Sequence, residues 1–229
     1  MSIAKTFCIL ATFLITMTVC FQSYAQDTAK QPSDKPELQT IKLLAPDFSR
    51  GVLLMQALKD RKSARHFSSQ PLSDELLSNL LWAASGVNRP DGKRTAPSAR
   101  NWQEITIYVA MSNGVYRYNA ANHTLEPYMA EDIREFTGIQ EFTQIAPVNL
   151  IYVADFSKMD KALQSDTDVN MFYPATDTGF ISQNVYLFCA SEGLATVVLG
   201  WVDKPELEKR LKLPKTERVI LTQPVGHTQ

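Results

Sequence analysis

The chain has 229 residues, of which 45% are hydrophobic and 21% charged, and its formal net charge is -1. This length suits one domain with a core of its own, and the composition excludes a disordered or fibrous protein. The near-neutral charge excludes a general attraction to nucleic acid or anionic lipid, so any anion-binding site must be local.

The first 25 residues have the pattern of an export signal. Lys5 supplies a positive charge, residues 7–21 form an apolar run, and Ser23 and Ala25 place small residues where signal peptidase cuts. The apolar run is short for a membrane-spanning helix, which needs about 20 residues. We therefore expect cleavage after Ala25 and a periplasmic or secreted protein without a membrane span. An uncleaved anchor and lipid attachment at Cys20 are the weaker alternatives.

Cysteine and histidine usage argues against a disulfide or a metal site. After cleavage the chain keeps one cysteine, Cys189, which lies in an apolar stretch and is expected to be a buried structural thiol. No cysteine and histidine residues have metal-ligand spacing. We expect His66, His123 and His227 to be ordinary surface or turn residues.

One domain is predicted from residue 41 to residue 229. Residues 26–40, rich in polar residues and proline, are expected to form a flexible lead-in to it. Apolar spacing, caps and turn residues predict helices at 53–61, 74–85, 131–136, 178–192 and 205–211. The same reasoning predicts strands at 105–109, 115–118, 148–154, 194–199 and 219–225, the first two joined as a hairpin. This interleaved order indicates an α+β fold with a mixed sheet.

A short basic run follows the first predicted helix directly. Arg61, Lys62, Ser63 and Arg65 place three cations and a hydroxyl within five positions. A phosphate monoester carries nearly two negative charges and three acceptor oxygens, which arginine and serine match well. A solvated basic patch at a helix C-terminus is the alternative, because the helix dipole favours cations there.

A second candidate segment is the loop that leads into the first predicted strand of the hairpin. Asn101 and Gln103 stand two residues apart at the mouth of this strand, so their side chains are expected to share a side. Each carboxamide offers a donor and an acceptor, which suits the pyrimidine edge of an isoalloxazine ring. Capping of the turn or contact with water is the alternative role.

Together these segments resemble the nitroreductase family of FMN oxidoreductases over about residues 55–227. The basic run, followed by Pro71-Leu72-Ser73 and a leucine-rich helix, resembles the family's opening, and residues 98–103 resemble its Asn-x-Gln flavin loop. Residues 95–99 and 114–118 are most similar to the branch that contains azoline (thiazoline/oxazoline) dehydrogenases. Further pieces follow in the family's order: residues 183–187, 193–194, 200–203 and 224–227.

The resemblance implies an α+β fold with a mixed, mainly antiparallel sheet flanked by helices, in a homodimer with two FMN sites at its interface. It assigns the phosphate and ribityl chain to the basic run: Arg61, Ser63 and Arg65, with Lys62 adjacent. It assigns the flavin ring to residues of the partner subunit: Pro97, Ser98 and Ala99. Asn101 and Gln103 would meet the pyrimidine edge, while Leu199 and Gly200 would bring backbone near N5.

One departure from the family pattern concerns the phosphate. Many relatives continue past the Pro-Val-Gly-His stretch with a basic residue that also touches the phosphate, whereas this sequence stops at Gln229. Phosphate binding is then expected to rest on the basic run, with Lys93, Arg94 and Arg100 as candidates to assist it.

The flavin would carry the redox chemistry, so no side chain is nominated as a nucleophile or general base. NAD(P)H is the candidate electron donor, and nitroaromatics, quinones or enones are candidate acceptors. Such flat acceptors could stack on aromatic residues near the flavin face, although core packing is an alternative role for each: Trp102, Phe136, Phe142, Phe172 and Tyr173.

Three alternatives remain open at the level of sequence. Free nicotinamide cofactor is expected in the cytoplasm, so an exported enzyme could instead be an azoline-type flavin-dependent dehydrogenase or oxidase that uses oxygen or a quinone. A non-catalytic exported FMN carrier is a second alternative. An anion-binding module without flavin is the third.

Overall fold

The computed structural model describes residues 37–161 and 167–229 of the chain. The predicted export signal and most of the predicted lead-in lie outside these residues. The described residues form one seven-stranded sheet with helices on both faces.

The strands are β1 (Ile41–Lys42), β2 (Ile105–Met111), β3 (Gly114–Asn119), β4 (Thr124–Met129), β5 (Val148–Asp155), β6 (Leu194–Thr196) and β7 (Glu217–His227). The α-helices are α1 (Leu54–Asp60), α2 (Asp74–Ser85), α3 (Phe142–Ile145), α4 (Thr167–Glu192) and α5 (Lys204–Arg210). Short 3-10 helices lie at Ala99–Asn101, Arg134–Thr137 and Phe156–Lys158.

The strand order is β1-β4-β3-β2-β5-β7-β6, and neighbouring strands are antiparallel at every pairing in this sheet. The α+β class and the helix-flanked antiparallel sheet are thus confirmed, and the sheet is less mixed than the sequence suggested. β5 lies between β2 and β7 and is buried on both faces: Leu150 and Tyr152 pack in one apolar cluster, Ile151 and Val153 in another. Burial on both faces explains why β5 reads as a continuous apolar run.

Helices α2 and α4 cover one face of the sheet, while α5 and the 3-10 helix at Arg134–Thr137 cover the other. Helix α2 matches its prediction closely. The Ser73 hydroxyl accepts a hydrogen bond from the Leu76 N–H at 3.2 Å, and the buried face of the helix carries leucines and Ala84. The helix ends before Gly86, where a Cβ would come within 2.4 Å of the Trp82 ring.

The β2–β3 hairpin is also confirmed. Met111 pairs with Gly114, so the two-residue turn consists of Ser112 and Asn113, and Gly114, which was predicted to be part of the turn, is the first residue of β3. Gly114 adopts a φ of 147°, and a Cβ there would lie 2.5 Å from the Met129 carbonyl oxygen. The turn therefore requires glycine at this position.

Helix α4 is longer than predicted. The sequence predicted a helix from Thr178, whereas the helix already includes Thr167 and contains Pro174. Proline lacks an N–H and normally marks a helix boundary, which is why sequence reasoning began the helix too late. Its end before Gly193, which has a φ of 68°, is as predicted.

Other boundaries also differ from the predictions. The helix predicted at 131–136 is a 3-10 turn at Arg134–Thr137, and α3 follows it without having been predicted. Strand β4 was not predicted because it carries Pro127 and alternates weakly, yet it pairs with β3 along its length. The strand predicted at 194–199 stops at Thr196, and the chain rejoins the sheet at Leu199 through a single bridge to Thr222.

Helix α1 forms where apolar spacing predicted it, but most of its apolar side chains are not buried within the chain. Ala57 is buried, whereas Leu53 is 84% and Met55 75% exposed. Five further exposed apolar residues lie in the same stretch of sequence: Leu44, Phe48, Val52, Leu54 and Leu58. We call these seven exposed residues the apolar face.

Candidate functional site

The basic run lies in the connection between α1 and α2, and residues 61–65 are hereafter the basic segment. Hydrogen bonds attach this connection to the edge of the sheet: the Ala64 N–H donates to the Thr196 carbonyl at 2.9 Å, and the Ser68 N–H donates to the His227 carbonyl at 2.9 Å. The segment is therefore a fixed part of the fold, beside β6 and the end of β7.

The cations of the basic segment are not neutralised by the protein. Within the described part of the chain, Arg61, Lys62 and Arg65 form no ion pair with a carboxylate. The adjacent carboxylate of Asp60 instead accepts a hydrogen bond from the Gln56 amide at 2.6 Å. Lys62 and Arg65 are exposed and Arg61 is half-buried, so three positive charges remain available to an anionic ligand.

Tyr186 of helix α4 organises this segment, although sequence reasoning gave it no role. Its hydroxyl lies 2.9 Å from the Ser63 hydroxyl and accepts a hydrogen bond from the Val198 N–H at 2.9 Å. The guanidinium carbon of Arg61 lies 5.3 Å from the centre of the Tyr186 ring, in cation–π range. The sole sequence signal was its place in the motif at residues 183–187. Beside it, a cavity of about 320 Å³ is lined by residues that include Lys62, Ala64 and Cys189.

Residues 97–103, hereafter the carboxamide loop, hold one another by hydrogen bonds. The Ser98 hydroxyl accepts from the Gln103 N–H at 2.8 Å and donates to a Glu104 carboxyl oxygen at 3.2 Å. The Ala99 N–H donates to the Asp177 carboxylate at 2.8 Å. Pro97, the first residue of the loop, is exposed. These bonds tie the loop both to the start of β2 and to helix α4.

Asn101 and Gln103 are in contact, but through left-handed φ values of 58° and 49° before β2 begins, and not through the strand alternation from which a shared side was predicted. The Gln103 amide nitrogen donates to the Asn101 side-chain oxygen at 3.1 Å and to the Gly92 carbonyl at 3.1 Å. Within the described residues, the Asn101 amide nitrogen and the Gln103 side-chain oxygen have no hydrogen-bond partner. The pair thus leaves one donor and one acceptor for a ligand.

Two buried acids lie beneath the carboxamide loop, and sequence reasoning singled out neither. Glu104 and Asp177 are both almost fully buried, and their carboxyl groups interact directly. Burial raises the pKa of Glu104 to about 7, with a further contribution from the neighbouring Asp177. Glu104 and Asp177 line a small cavity together with Arg94, and burial lowers the pKa of the Arg94 guanidinium.

The structure gives Leu199 and Gly200 different backbone roles. The Leu199 N–H donates to the Thr222 carbonyl at 2.8 Å, so it is already committed to the sheet. Gly200 is exposed, and its N–H has no partner among the residues described. Of the two, only Gly200 can offer a backbone donor to a ligand.

Three of the five aromatic candidates form a cluster beside the carboxamide loop. Tyr173 stacks edge-on with Trp102 and with Phe172, at centroid distances of 5.4 and 5.3 Å. The other two lie elsewhere: Phe136 packs under the Arg210 guanidinium, and Phe142 packs against Phe67. Core packing, the alternative role, is what the structure shows for these two.

The three cations proposed to assist the basic segment are engaged elsewhere within this chain. Lys93 pairs with Asp91 at 2.8 Å, and Arg100 pairs with Asp160. Arg94 donates to the Ser85 hydroxyl at 3.2 Å and lies under the carboxamide loop. None of them extends the basic segment.

Cys189 and the histidines match their predicted roles. Cys189 is buried in α4, and burial raises the pKa of its thiol. His123 is a turn residue, with its ring nitrogens 2.8 Å from the Ser78 hydroxyl and 2.9 Å from the Tyr118 hydroxyl. Across residues 37–161 and 167–229, no cluster of acids, histidines and cysteines could hold a metal ion, and no helix is long and apolar enough to cross a membrane.

Within one chain, the basic segment and the carboxamide loop are attached to different sides of helix α4. Tyr186 contacts the first and Asp177 the second. Nine residues separate these two positions, which in an α-helix is about two and a half turns, or roughly 13 Å along the axis. The half turn places the two contacts on opposite sides of the helix.

Comparisons with known proteins agree with this geometry. The family model described as the nitroreductase family matches residues 58–227. A nitroreductase-type protein of Methanocaldococcus jannaschii is 32% identical over 197 residues, covering 82% of this chain and 96% of the relative. An NAD(P)H FMN reductase of Bacillus subtilis is 25% identical over 185 residues, covering 76% of this chain and 65% of that protein.

A solved structure shows the same fold. The crystal structure of a nitroreductase-type protein from Ralstonia eutropha superposes with a TM-score of 0.78 at 40% identity, covering 84% of this chain and 90% of that one. The family model spans most of the chain, and the first of these relatives is matched over nearly its whole length. The chain therefore belongs to the nitroreductase family and is an FMN-dependent oxidoreductase of the nitroreductase type.

Proposed function

We propose that the protein is an exported homodimeric enzyme that uses FMN to pass hydride or electron pairs from NAD(P)H to a small conjugated acceptor, such as a nitroaromatic, a quinone or an enone. The observation that carries the cofactor site is the basic segment. It presents three cations that pair with no carboxylate among the residues described, and the sheet edge and Tyr186 hold it in place.

The residues of the basic segment fit the phosphate end of FMN. A phosphate monoester brings nearly two negative charges, and Arg61 and Arg65 can each bind it through two parallel hydrogen bonds. Ser63 offers a neutral hydroxyl beside them, and Lys62 adds a further charge. No protein carboxylate competes for these cations within the described residues.

The carboxamide loop fits the ring end. The free Asn101 amide nitrogen and the free Gln103 side-chain oxygen match the acceptor and donor on a pyrimidine edge. Pro97, Ser98 and Ala99 would line the ring, while the Gly200 N–H would donate near N5. Bound FMN supplies two-electron redox chemistry; the chain's residues bind it, orient it and exclude water from it.

We propose that each site uses the basic segment of one chain and the carboxamide loop of its partner. The two parts contact opposite sides of α4 within one chain. The apolar face includes Leu53, which is 84% exposed. Single exposed apolar residues are common on protein surfaces, but seven in one short stretch of sequence suit a two-fold interface. Members of this family are typically homodimers, which agrees with this arrangement.

The aromatic cluster supports a flat acceptor. Trp102 and Tyr173 contact each other edge-on beside the carboxamide loop, and Phe172 extends the cluster into solvent. A planar conjugated molecule would stack on such rings with a gain of about 0.5–1.5 kcal/mol for each aromatic pair. This geometry favours aromatic or quinone-like acceptors over aliphatic ones.

Different observations support the proposed electron donor and the proposed cellular compartment. A relative named as an NAD(P)H FMN reductase supports NAD(P)H as donor. The export signal at residues 1–25 supports a periplasmic or secreted location and favours a second candidate function: an azoline-type dehydrogenase or oxidase with oxygen or a quinone as electron acceptor. The motifs at residues 95–99 and 114–118 support the same alternative.

An anaerobic reduction experiment distinguishes these functions. The purified protein is incubated with FMN, desalted, examined for flavin absorbance, and then mixed with NADPH or NADH in the absence of oxygen. We expect flavin to be retained and to bleach rapidly with a nicotinamide donor. Retained flavin that bleaches only with an azoline substrate would establish the second function, and retained flavin that no donor reduces would indicate a carrier. A protein that stays colourless would refute FMN binding.

A further inference from the structure

The Glu104 and Asp177 carboxyl groups are buried together, where two negative charges would be costly. Glu104 is fully buried and Asp177 is 2% exposed, and the two groups are within hydrogen-bonding reach of each other. One Glu104 oxygen accepts from Ser98, while the other is buried and has no donor within the described part of the chain. A proton on that second oxygen would let it donate to Asp177 and would remove the unsatisfied group.

We propose that Glu104 and Asp177 are positioning residues that share one proton, and that this protonated pair holds the carboxamide loop in its flavin-facing conformation. The inference rests on the proposed function, because that function assigns the flavin ring to this loop. Each acid bonds the loop directly: Glu104 accepts a hydrogen bond from the Ser98 hydroxyl, and Asp177 accepts one from the Ala99 N–H.

Charge balance favours a single shared proton. Arg94 lines the same cavity, and its guanidinium interacts electrostatically with Glu104. With one proton on the acid pair, the buried cluster of Arg94, Glu104 and Asp177 is neutral; with none, it carries one uncompensated negative charge. Among the residues described, two further titratable groups lie near this cluster: Tyr118, which interacts with Arg94, and Lys158, which donates to the Gln103 carbonyl at 3.3 Å from the exposed side.

The loop needs such an anchor because its backbone is strained. Arg100, Asn101 and Gln103 have φ values of 50°, 58° and 49°, in the left-handed region that non-glycine residues seldom adopt. Strained residues persist when the surrounding contacts determine their conformation. The bonds from Ser98 and Ala99 to the two acids contribute to this, together with the Arg100–Asp160 pair and the bond from the Gln103 amide to the Gly92 carbonyl.

Loss of the shared proton should therefore loosen the loop. The pKa of Glu104 is raised to about 7 in the folded protein, mainly by burial. Above that pH the pair carries two negative charges, and a conformation in which the loop opens and hydrates them becomes more favourable. FMN binding to the closed loop would then weaken as pH rises, since only the closed fraction of the protein binds tightly.

The test compares the wild type with Glu104→Gln. The amide is a neutral mimic of the protonated acid: its oxygen accepts from Ser98 and its nitrogen donates to Asp177. Two measurements are made between about pH 6.5 and 8.5: the FMN dissociation constant by fluorescence quenching, and amide hydrogen exchange of peptides covering residues 97–103 in the flavin-free protein, corrected for intrinsic rates.

For the wild type we expect binding about tenfold weaker, and loop exchange about tenfold faster, at the upper pH than at the lower. Glu104→Gln should keep the low-pH values across the range. Because both proteins bind the same ligand, titration of the phosphate itself cancels in the comparison. A flat wild-type profile, or a Glu104→Gln profile that falls as the wild type does, would overturn the proposal.

Control variants distinguish a positioning role of the acid pair from a general loss of structure. Asp160→Asn removes a carboxylate that pairs with Arg100 on the exposed side of the same loop, and it should keep the wild-type pH dependence. Asp177→Asn can still accept from Ala99 and should flatten the profile as Glu104→Gln does, which covers the case in which Glu104→Gln does not fold.

Failure of the proposed function would look different. If the wild type bound no FMN at any pH, the flavin assignment would be wrong, while the exchange measurement would still test the shared proton. If FMN bound tightly but binding and exchange were independent of pH, only the shared proton would be refuted.

Discussion

The two candidate halves of the flavin site differ in whether their polar groups already have ionic or hydrogen-bond partners within the described protein. The basic segment presents exposed cations that have no ionic partner in the described protein. The carboxamide loop is bound by hydrogen bonds from Ser98, Ala99 and Gln103 and rests on a buried acid pair. The basic segment can thus attract a charged group, whereas the carboxamide loop has a fixed conformation.

This difference predicts different sensitivities for the two halves. Attraction between exposed charges weakens with salt, because the Debye length falls to about 10 Å at 0.1 M. A loop held by buried hydrogen bonds is little affected by salt, but it responds to changes in protonation and to the loss of single bonds.

The largest effect is expected from removing two cations of the basic segment. Arg61→Ala combined with Arg65→Ala should weaken FMN binding at least about a hundredfold, because each arginine contributes charge-assisted hydrogen bonds worth about 1.5–3 kcal/mol. The salt dependence of binding should shrink as well. Fluorescence titration at several salt concentrations measures both.

The matched control removes two exposed lysines elsewhere. Lys209→Ala with Lys215→Ala lowers the net charge equally but lies on α5 and the loop after it. This control should keep wild-type affinity, and thermal unfolding should show that both variants remain folded. Equal loss of FMN in the two double variants would mean that only overall charge matters, contrary to a specific phosphate site.

An intermediate effect is expected in the carboxamide loop. Ser98→Ala removes the acceptor of the Gln103 N–H and the donor to Glu104, so the loop should open more often and bind FMN about tenfold more weakly. Unlike loss of the arginines, this weakening should not change the salt dependence. Ser69→Ala, an exposed serine outside both halves, is the control. A Ser98→Ala variant whose loss of affinity disappears at high salt would remove the distinction between the two halves.

The smallest effect is expected at Tyr186. Tyr186→Phe keeps the ring under Arg61 but loses the hydroxyl that joins Ser63 to the Val198 N–H, at a cost of about 1 kcal/mol or a fewfold loss in FMN affinity. Tyr116→Phe loses a comparable bond to Asn113 in the hairpin and should leave binding unchanged. If the two variants bound FMN equally well, Tyr186 would have no role in placing the basic segment.

Local signals explain the parts of the fold that the sequence predicted. Ser73 and Gly86 bound α2, and Asn113-Gly114 defines the hairpin, because caps and turns depend on a few neighbouring residues. The start of α4 was placed too late because Pro174 normally ends a helix, and only tertiary packing shows that it does not.

Local signals likewise predicted only part of the candidate site. The basic segment follows from a short run in the sequence, whereas the contact between Asn101 and Gln103 arises from two left-handed backbone conformations and not from the strand alternation that their spacing suggested. The acid pair could not be predicted, because Glu104 and Asp177 lie far apart in sequence and meet only when α4 packs beside β2. The role of Tyr186 and the burial of Arg94 depend likewise on tertiary contacts.

The central claim, that each flavin lies between the basic segment of one chain and the carboxamide loop of another, can be tested with mixed dimers. One chain carries Arg61→Ala and Arg65→Ala, the other carries Asn101→Ala and Gln103→Ala, and differently tagged chains are co-expressed and purified through both tags. In the shared-site arrangement, one of the two sites in each mixed dimer is fully wild type and the other carries all four changes.

The measurement is FMN content per mixed dimer, against parent dimers that each bind little. With shared sites, we expect about one tightly bound FMN per mixed dimer. Mixed dimers as empty as both parents would contradict it, because that result requires both halves of a site to come from the same chain.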